Sequence, residues 1–189
     1  AIVNIIDKNN NIKRQIKVKD TLKFLTKSSK IYRQNINTKI IAITGSCGKT
    51  TLKELLGTSL KQISKVSISP KSYNNKYGVP LSLFNLVQKN DYGVLEIGMG
   101  KKGEIDYLSK IVQPDVSVIT NINYAHAKNF RNLKQIALAK SEIINNTKDN
   151  GFIVLNADDN FFALHKKIAN KKNLKILSFG IKSKNSNIK

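Results

Sequence analysis

The stretch Ile40-Ile41-Ala42-Ile43-Thr44-Gly45-Ser46-Cys47-Gly48-Lys49-Thr50-Thr51 constrains this chain more than any other. Its short β-branched apolar run reads as a buried strand. The run breaks at two glycines and a Lys-Thr-Thr, then continues with Leu52, Leu55, Leu56 and Leu60 at helical spacing. Strand, glycine turn and helix start together form an anion cradle, because free N–H groups and the positive helix end face the turn. Lys49 adds a point charge for outer phosphates, and the Thr50 hydroxyl can ligate Mg²⁺. The same letters could make an ordinary glycine turn, but a strand before and a helix after favour a nucleotide site. The general phosphate loop carries a glycine five residues before Gly48, and here Ile43 holds that place. The loop is therefore the shorter Thr-Gly-x-x-Gly-Lys-Thr-Thr form.

Such a loop needs a sheet behind it. Short apolar runs at 40–44, 66–68, 93–97, 116–120, 152–155 and 176–179 alternate with helical patterns at 51–63, 80–86, 105–111, 133–145 and 161–169. This alternation predicts βαβ crossovers and an α/β fold with a doubly wound, mostly parallel, Rossmann-like sheet. Ligands in such sheets lie beyond the carboxyl ends of the strands, so the residues after each strand are the candidates. Residues 1–38 begin inside an apolar run, and Asp20 can cap a helix reaching about Gln34. They are expected to be the end of a preceding domain and its connector, with the nucleotide-binding domain at 39–189.

Several residues after those strands carry chemistry. Glu96 ends an apolar strand, where an unpaired carboxylate is costly; a metal or Lys49 is the expected partner. Gly98, Gly100 and Gly103 follow and would let a ligand approach the backbone. Asn74-Asn75, ahead of Gly78 and Pro80, reads in isolation as a turn capping the next helix. His126 follows the fourth strand, level with Glu96, and is a candidate metal ligand, whereas His165 reads as structural or exposed. Lys140, among small apolar residues, reads alone as a lysine snorkelling at a helix edge. Asn156-Ala157-Asp158-Asp159 reads first as a helix cap and second as a nucleotide contact.

Composition narrows the partners. Thirty-three Lys and Arg against 12 Asp and Glu give a net charge of +21. Nucleic-acid binding would need clustered charge with interleaved aromatics. Here the lysines are spread through a chain rich in Asn and Ile, which is a compositional bias, so no nucleic-acid partner is expected. One cysteine, Cys47, precludes an internal disulfide and fits a reducing, cytoplasmic setting. No apolar run approaches the roughly 20 residues of a membrane span. A monomer without membrane insertion is expected.

Read as a set, these motifs resemble the Mur ligases, ATP-dependent amide-forming enzymes of peptidoglycan synthesis. The resemblance rests on 43–51, on Asn74-Asn75 with Gly78-Val79-Pro80, and on Thr120-Asn121-Ile122 with Ala125-His126. Ala139-Lys140-Ser141-Glu142-Ile143 and Asn156-Ala157-Asp158-Asp159 complete it. Glu96-Ile97-Gly98-Met99 followed by Gly103-Glu104-Ile105 is similar to the branch that takes a dipeptide amine, and unlike the folylpolyglutamate synthases.

The resemblance implies that ATP phosphorylates the terminal carboxylate of a UDP-MurNAc-tripeptide. The amine of D-alanyl-D-alanine then attacks the acyl phosphate. It also implies roles. Gly45, Ser46, Cys47, Gly48, Lys49, Thr50, Thr51 and Asn121 would hold ATP. Thr50 and Glu96 would reach Mg²⁺, His126 would ligate a second Mg²⁺, and Asn74 and Asn75 would lie near the substrate. Lys49, His126 and Lys140 would be catalytic, Lys140 as a carbamate formed with CO₂. The family commonly has Gly at the place of Asn123 and an acidic residue at the place of Lys128. Its UDP-binding N-terminal and amine-binding C-terminal domains find no match, so the chain reads as a central domain truncated at its C-terminus and inactive alone. Two other readings stay open: a folylpolyglutamate-synthase-like ligase, and a nucleotide-binding module without chemistry.

Overall fold

The computed structural model describes residues 1–9, 11–86, 90–124, 129–184 and 186–188. Two short parallel strands, β1 (Ile2–Val3) and β2 (Ile16–Lys17), pair near the start. Helix α1 (Thr21–Gln34) follows, and the Asp20 side chain accepts the Lys23 N–H at its first turn. Arg33 anchors this helix. Its guanidinium, 3% exposed, donates to the carbonyls of Val112, Thr38 and Gln113 and to the Asp115 carboxylate at 3.0 Å.

The main body alternates β3 (Lys39–Thr44), α2 (Lys49–Lys61), β4 (Val66–Ile68), α3 (Gly78–Phe84), β5 (Tyr92–Glu96) and α4 (Glu104–Val112). It continues with β6 (Val116–Ile119), α5 (Leu133–Asn146), β7 (Phe152–Asn156), α6 (Phe162–Lys171) and β8 (Lys175–Phe179). Its sheet has the order β4-β5-β3-β6-β7-β8, and every neighbouring pair runs parallel. Each strand lies within one residue of its expected position. α2 starts two residues earlier than the pattern placed it, because Gly48 turns the chain at φ +79° and Lys49 is already helical.

Strand alternation assigns the two faces. Ile40, Ala42, Leu95, Ile119 and Leu155 pack with α3, α4 and α5 in the larger core. Ile43, Val94 and Val118 face the other way, against Leu52, Leu56 and Leu60 of α2. β3 lies between β5 and β6, and the chain crosses from one side of it to the other after β5. The segments following β3, β5 and β6 therefore meet at one edge, where doubly wound sheets bind ligands.

Candidate active site

The phosphate-type loop is docked on the segment that follows β6. A Cβ at Gly45 would overlap the Thr120 hydroxyl, so only glycine lets the ends of β3 and β6 come this close. The Ser46 N–H donates to the Asn121 carbonyl, and the Cys47 N–H to Asn121 Oδ1 at 3.0 Å. Thr120 Oγ1 donates to the Cys47 carbonyl at 2.6 Å, and Ser46 Oγ donates to the Asn123 carbonyl. Ser46, Cys47 and Asn121 thus shape the loop through one another. The N–H groups of Lys49, Thr50 and Thr51 sit in the first turn of α2, which has no intrahelical acceptors for them. The Lys49 ammonium curls back to the Gly45 carbonyl at 2.9 Å.

The acidic turn after β7 braces this segment from its far side. Asp159 Oδ2 accepts the Ile122 N–H at 2.7 Å, and its Oδ1 accepts the Phe161 N–H where α6 begins, as a cap would. Asp158 instead gathers the N–H groups of Ile181, Lys182 and Ser183, which hold its carboxyl below the usual range.

Glu96 is the centre of the site. It is 2% exposed, accepts from the Thr50 hydroxyl at Oε2 (2.7 Å) and from the Asn74 amide at Oε1 (2.7 Å). The expectation of Lys49 as its partner is corrected: the ammonium serves the loop carbonyls, and a hydroxyl and an amide satisfy the carboxylate. Gly98 also takes a different part from the one expected. Its N–H donates to the Asn74 carbonyl at 2.8 Å, and a Cβ there would press on the Asn74 side chain at 2.8 Å. The bare backbone makes room for Asn74. Asn75 Oδ1 accepts the N–H groups of Tyr77 and Gly78 and so caps α3.

Thr50 Oγ1 and Glu96 Oε2 present two hard oxygen donors side by side, which suits Mg²⁺ as part of a ligand set completed by phosphate oxygens and water. Among the described residues no group of three or more His, Cys, Asp and Glu gathers around one point. His126, like Ala125 and Lys128, lies outside the described residues.

Lys140 does not snorkel. It is 2% exposed on the inner face of α5, beside Ala139 and Ile143 of the core. Burial first, and the charge of Lys49 second, push its amine down to about 7, against a smaller opposing pull from Cys47. An amine so depressed holds a substantial neutral fraction, about half, near pH 7. His165 is buried, the structural and not the exposed of its two readings, with its Nε2 on the Ala137 carbonyl and its pKa lowered by burial.

Three residues received no role of their own from the sequence. Glu142 accepts the N–H groups of Gly103 and Asp106, while Glu104 accepts those of Gly100 and Lys101, so two carboxylates fix the turn after β5. Lys53 is fully buried on α2 and donates to the carbonyls of Ser69 and Lys71. Glu and Lys on helices look like solvent-facing charge, and only the two carboxylates had a motif around them as a signal. A cavity of about 870 Å³ runs from Lys49 past Asn74 and Met99 to Lys23, with Lys101 and Tyr107 in its wall.

The family profile of the Mur ligase middle domain matches residues 43–189. The chain belongs to the Mur ligase family. It is 43% identical over 152 residues to the UDP-N-acetylmuramoyl-tripeptide–D-alanyl-D-alanine ligase of Buchnera aphidicola, covering 80% of this chain and 33% of that one. A crystal structure of MurF from Acinetobacter baumannii superposes with a TM-score of 0.86 at 38% identity, covering 95% of this chain and 39% of the other. MurF ligase from Thermotoga maritima, solved with ADP, superposes with a TM-score of 0.83 at 32% identity, covering 96% and 41%. The chain thus spans about a third of the Buchnera ligase and about two fifths of each of these two structures.

Proposed function

We propose that the chain is the ATP-binding core of a ligase that joins D-alanyl-D-alanine to UDP-MurNAc-tripeptide through an acyl phosphate. The observation that carries this is convergence: the α2 N-terminus with Lys49, the Thr50–Glu96–Asn74 network and the depressed amine of Lys140 meet at one sheet edge. Relatives named for this reaction, and a similar structure holding ADP, support it.

In this reading the first-turn N–H groups of α2 and Lys49 hold the β- and γ-phosphates. Thr50 and Glu96 would hold Mg²⁺, which when bound neutralises charge between phosphates and the attacking carboxylate. Asn74 keeps Glu96 turned toward Thr50. A carboxylate oxygen of the tripeptide attacks the γ-phosphorus and ADP leaves. The dipeptide amine then attacks the acyl carbon, gives up a proton, and phosphate departs. Lys140 contributes as a carbamate: its neutral amine bonds to CO₂ and loses a proton, turning a cation into an anion beside Lys49. His126 would serve a second Mg²⁺, and Asn75 would lie near the substrate. The enzyme acts as a cytoplasmic monomer.

The test is ATP-dependent phosphate release in the full-length reading frame, requiring both UDP-MurNAc-tripeptide and D-alanyl-D-alanine. Release with neither amine nor carboxylate substrate dependence overturns the reading. For Lys140, Lys140→Ala is expected to lose activity and regain part of it with short carboxylic acids, while mass analysis of the parent shows added CO₂. An unchanged rate removes the carbamate.

A further inference from the structure

We propose that Lys53 is a positioning residue that locks the Asn74 loop to the phosphate-binding helix and thereby aims Glu96; this rests on the ligase reading above. Lys53 has no exposed surface. Burying an ammonium is costly unless its donors are satisfied, and an apolar side chain of similar size would fill the same space more cheaply. Here two of the donor contacts go to one turn. Nζ donates to the Ser69 carbonyl at 2.8 Å and to the Lys71 carbonyl, with the Glu54 carboxylate at 3.1 Å.

Those carbonyls belong to the turn that delivers Asn74. Lys71 adopts φ +45°, Tyr73 N–H closes the turn on the Pro70 carbonyl, and Asn74 N–H donates to the Ser72 carbonyl. Asn74 then reaches Glu96 with its amide and Gly98 with its carbonyl. Ser69 adds a second tie, since its Oγ accepts the Glu96 N–H at 3.3 Å. Lys53 lies one turn beyond Lys49 and Thr50 on the same helix. The contacts therefore close a ring: Thr50 to Glu96, Glu96 to Asn74, Asn74 through its turn to Lys53, and Lys53 back along α2 to Thr50. Without the ammonium, the turn that delivers Asn74 loses its tie to α2 and keeps only its ties to β5 and α3, so the carboxylate Asn74 orients is freer to turn from Thr50.

The experiment compares Lys53→Met, Asn74→Ala and the double variant in the full-length frame. Lys53→Met is expected to lower kcat on the order of tenfold to a hundredfold, as misplacement of positioning groups does, with the KM for ATP little changed. In the Asn74→Ala background the same substitution is expected to change kcat by less than about threefold, because the two residues act as one unit. Amide exchange at Gly98 is expected to quicken in Lys53→Met, while that of Ala139 stays the same. Independent, multiplying effects on kcat, or unchanged Gly98 exchange, overturn the proposal. If Lys53→Met does not fold, Lys53→Gln, whose amide is too short to reach both carbonyls, carries the same comparison. Faster Gly98 exchange in a protein that releases no phosphate would uphold the Lys53 tie and reject the ligase reading instead.

Discussion

A lysine that titrates near pH 7 inside a fold makes stability depend on pH in a definite direction. Lys140 sits at about 7 when folded and at 10.5 in an ordinary setting. Between those values the unfolded chain holds a proton at this position that the folded chain has released, so stability from this residue rises as pH rises from 7 to 10.5. Below 7 both states are protonated and the full penalty of the buried charge is present. Lys140→Met is expected to raise stability at pH 7 by a few kcal/mol and to flatten that rise. Urea midpoints at pH 7 and pH 10 measure both; a variant with the parent's slope rejects the assignment. The cost is borne at a candidate site residue, where a departure from local rules is expected. At this scale the sequence separated Lys140 from Lys53 by motif alone. Both are buried lysines on helices, and no periodic pattern distinguishes a lysine whose stem runs inward from one whose stem runs out. Glu96 was legible as a buried carboxylate at a strand end, but its partners were not, because Asn74 reaches it from a turn 22 residues away in sequence.

Elements were the most legible scale where the chain is most apolar. β3, β5 and β6 are buried from both faces and read as continuous hydrophobic runs, which fixes them within a residue. β1 and β2 are two residues each and have no period to detect. The start of α2 depended on the left-handed backbone of Gly48, and the role of Gly98 on a close approach of Asn74 that local sequence does not encode. Long-range polar ties set how the elements sit, and Arg33 is the largest. It binds α1 to the carbonyls ending α4 and to Asp115, which also accepts the Ile40 N–H and pairs with Lys148. Arg33→Met keeps the apolar stem but strips the donors to the Val112, Ile36, Thr38 and Gln113 carbonyls and to Asp115, leaving buried carbonyls unpaired. The expected cost is about 3 kcal/mol, in the range for breaking a buried ion pair. Chemical denaturation reads it directly, and a loss below about 0.5 kcal/mol, the scale of a surface substitution, would mean α1 is not held this way.

For the molecule as a whole, charge opposes folding. Twelve carboxylates cannot neutralise 33 basic groups, and the surplus of 21 is spread along the chain, with Lys23, Lys49, Lys76, Lys101 and Lys102 around the cavity. Bringing those charges together on folding adds repulsion that the unfolded chain relieves. The described ion pairs outside the Arg33 and Lys53 networks, such as Lys110 with Asp106 and Lys172 with Asp149, are partly exposed and contribute little. Raising ionic strength from about 0.01 M to about 0.15 M shortens the screening length from about 30 Å to about 8 Å, which weakens the many long-range repulsions more than the few contact pairs. The thermal midpoint is therefore expected to climb by several degrees over that range in sodium chloride, and a fold held by surface ion pairs would show a fall instead. The same surplus draws polyanions, so part of any stabilisation by ATP at low salt is nonspecific. Lys49→Met separates the two contributions: the specific part disappears with the loop's charge, and the salt-sensitive part remains, because it belongs to lysines scattered along the chain.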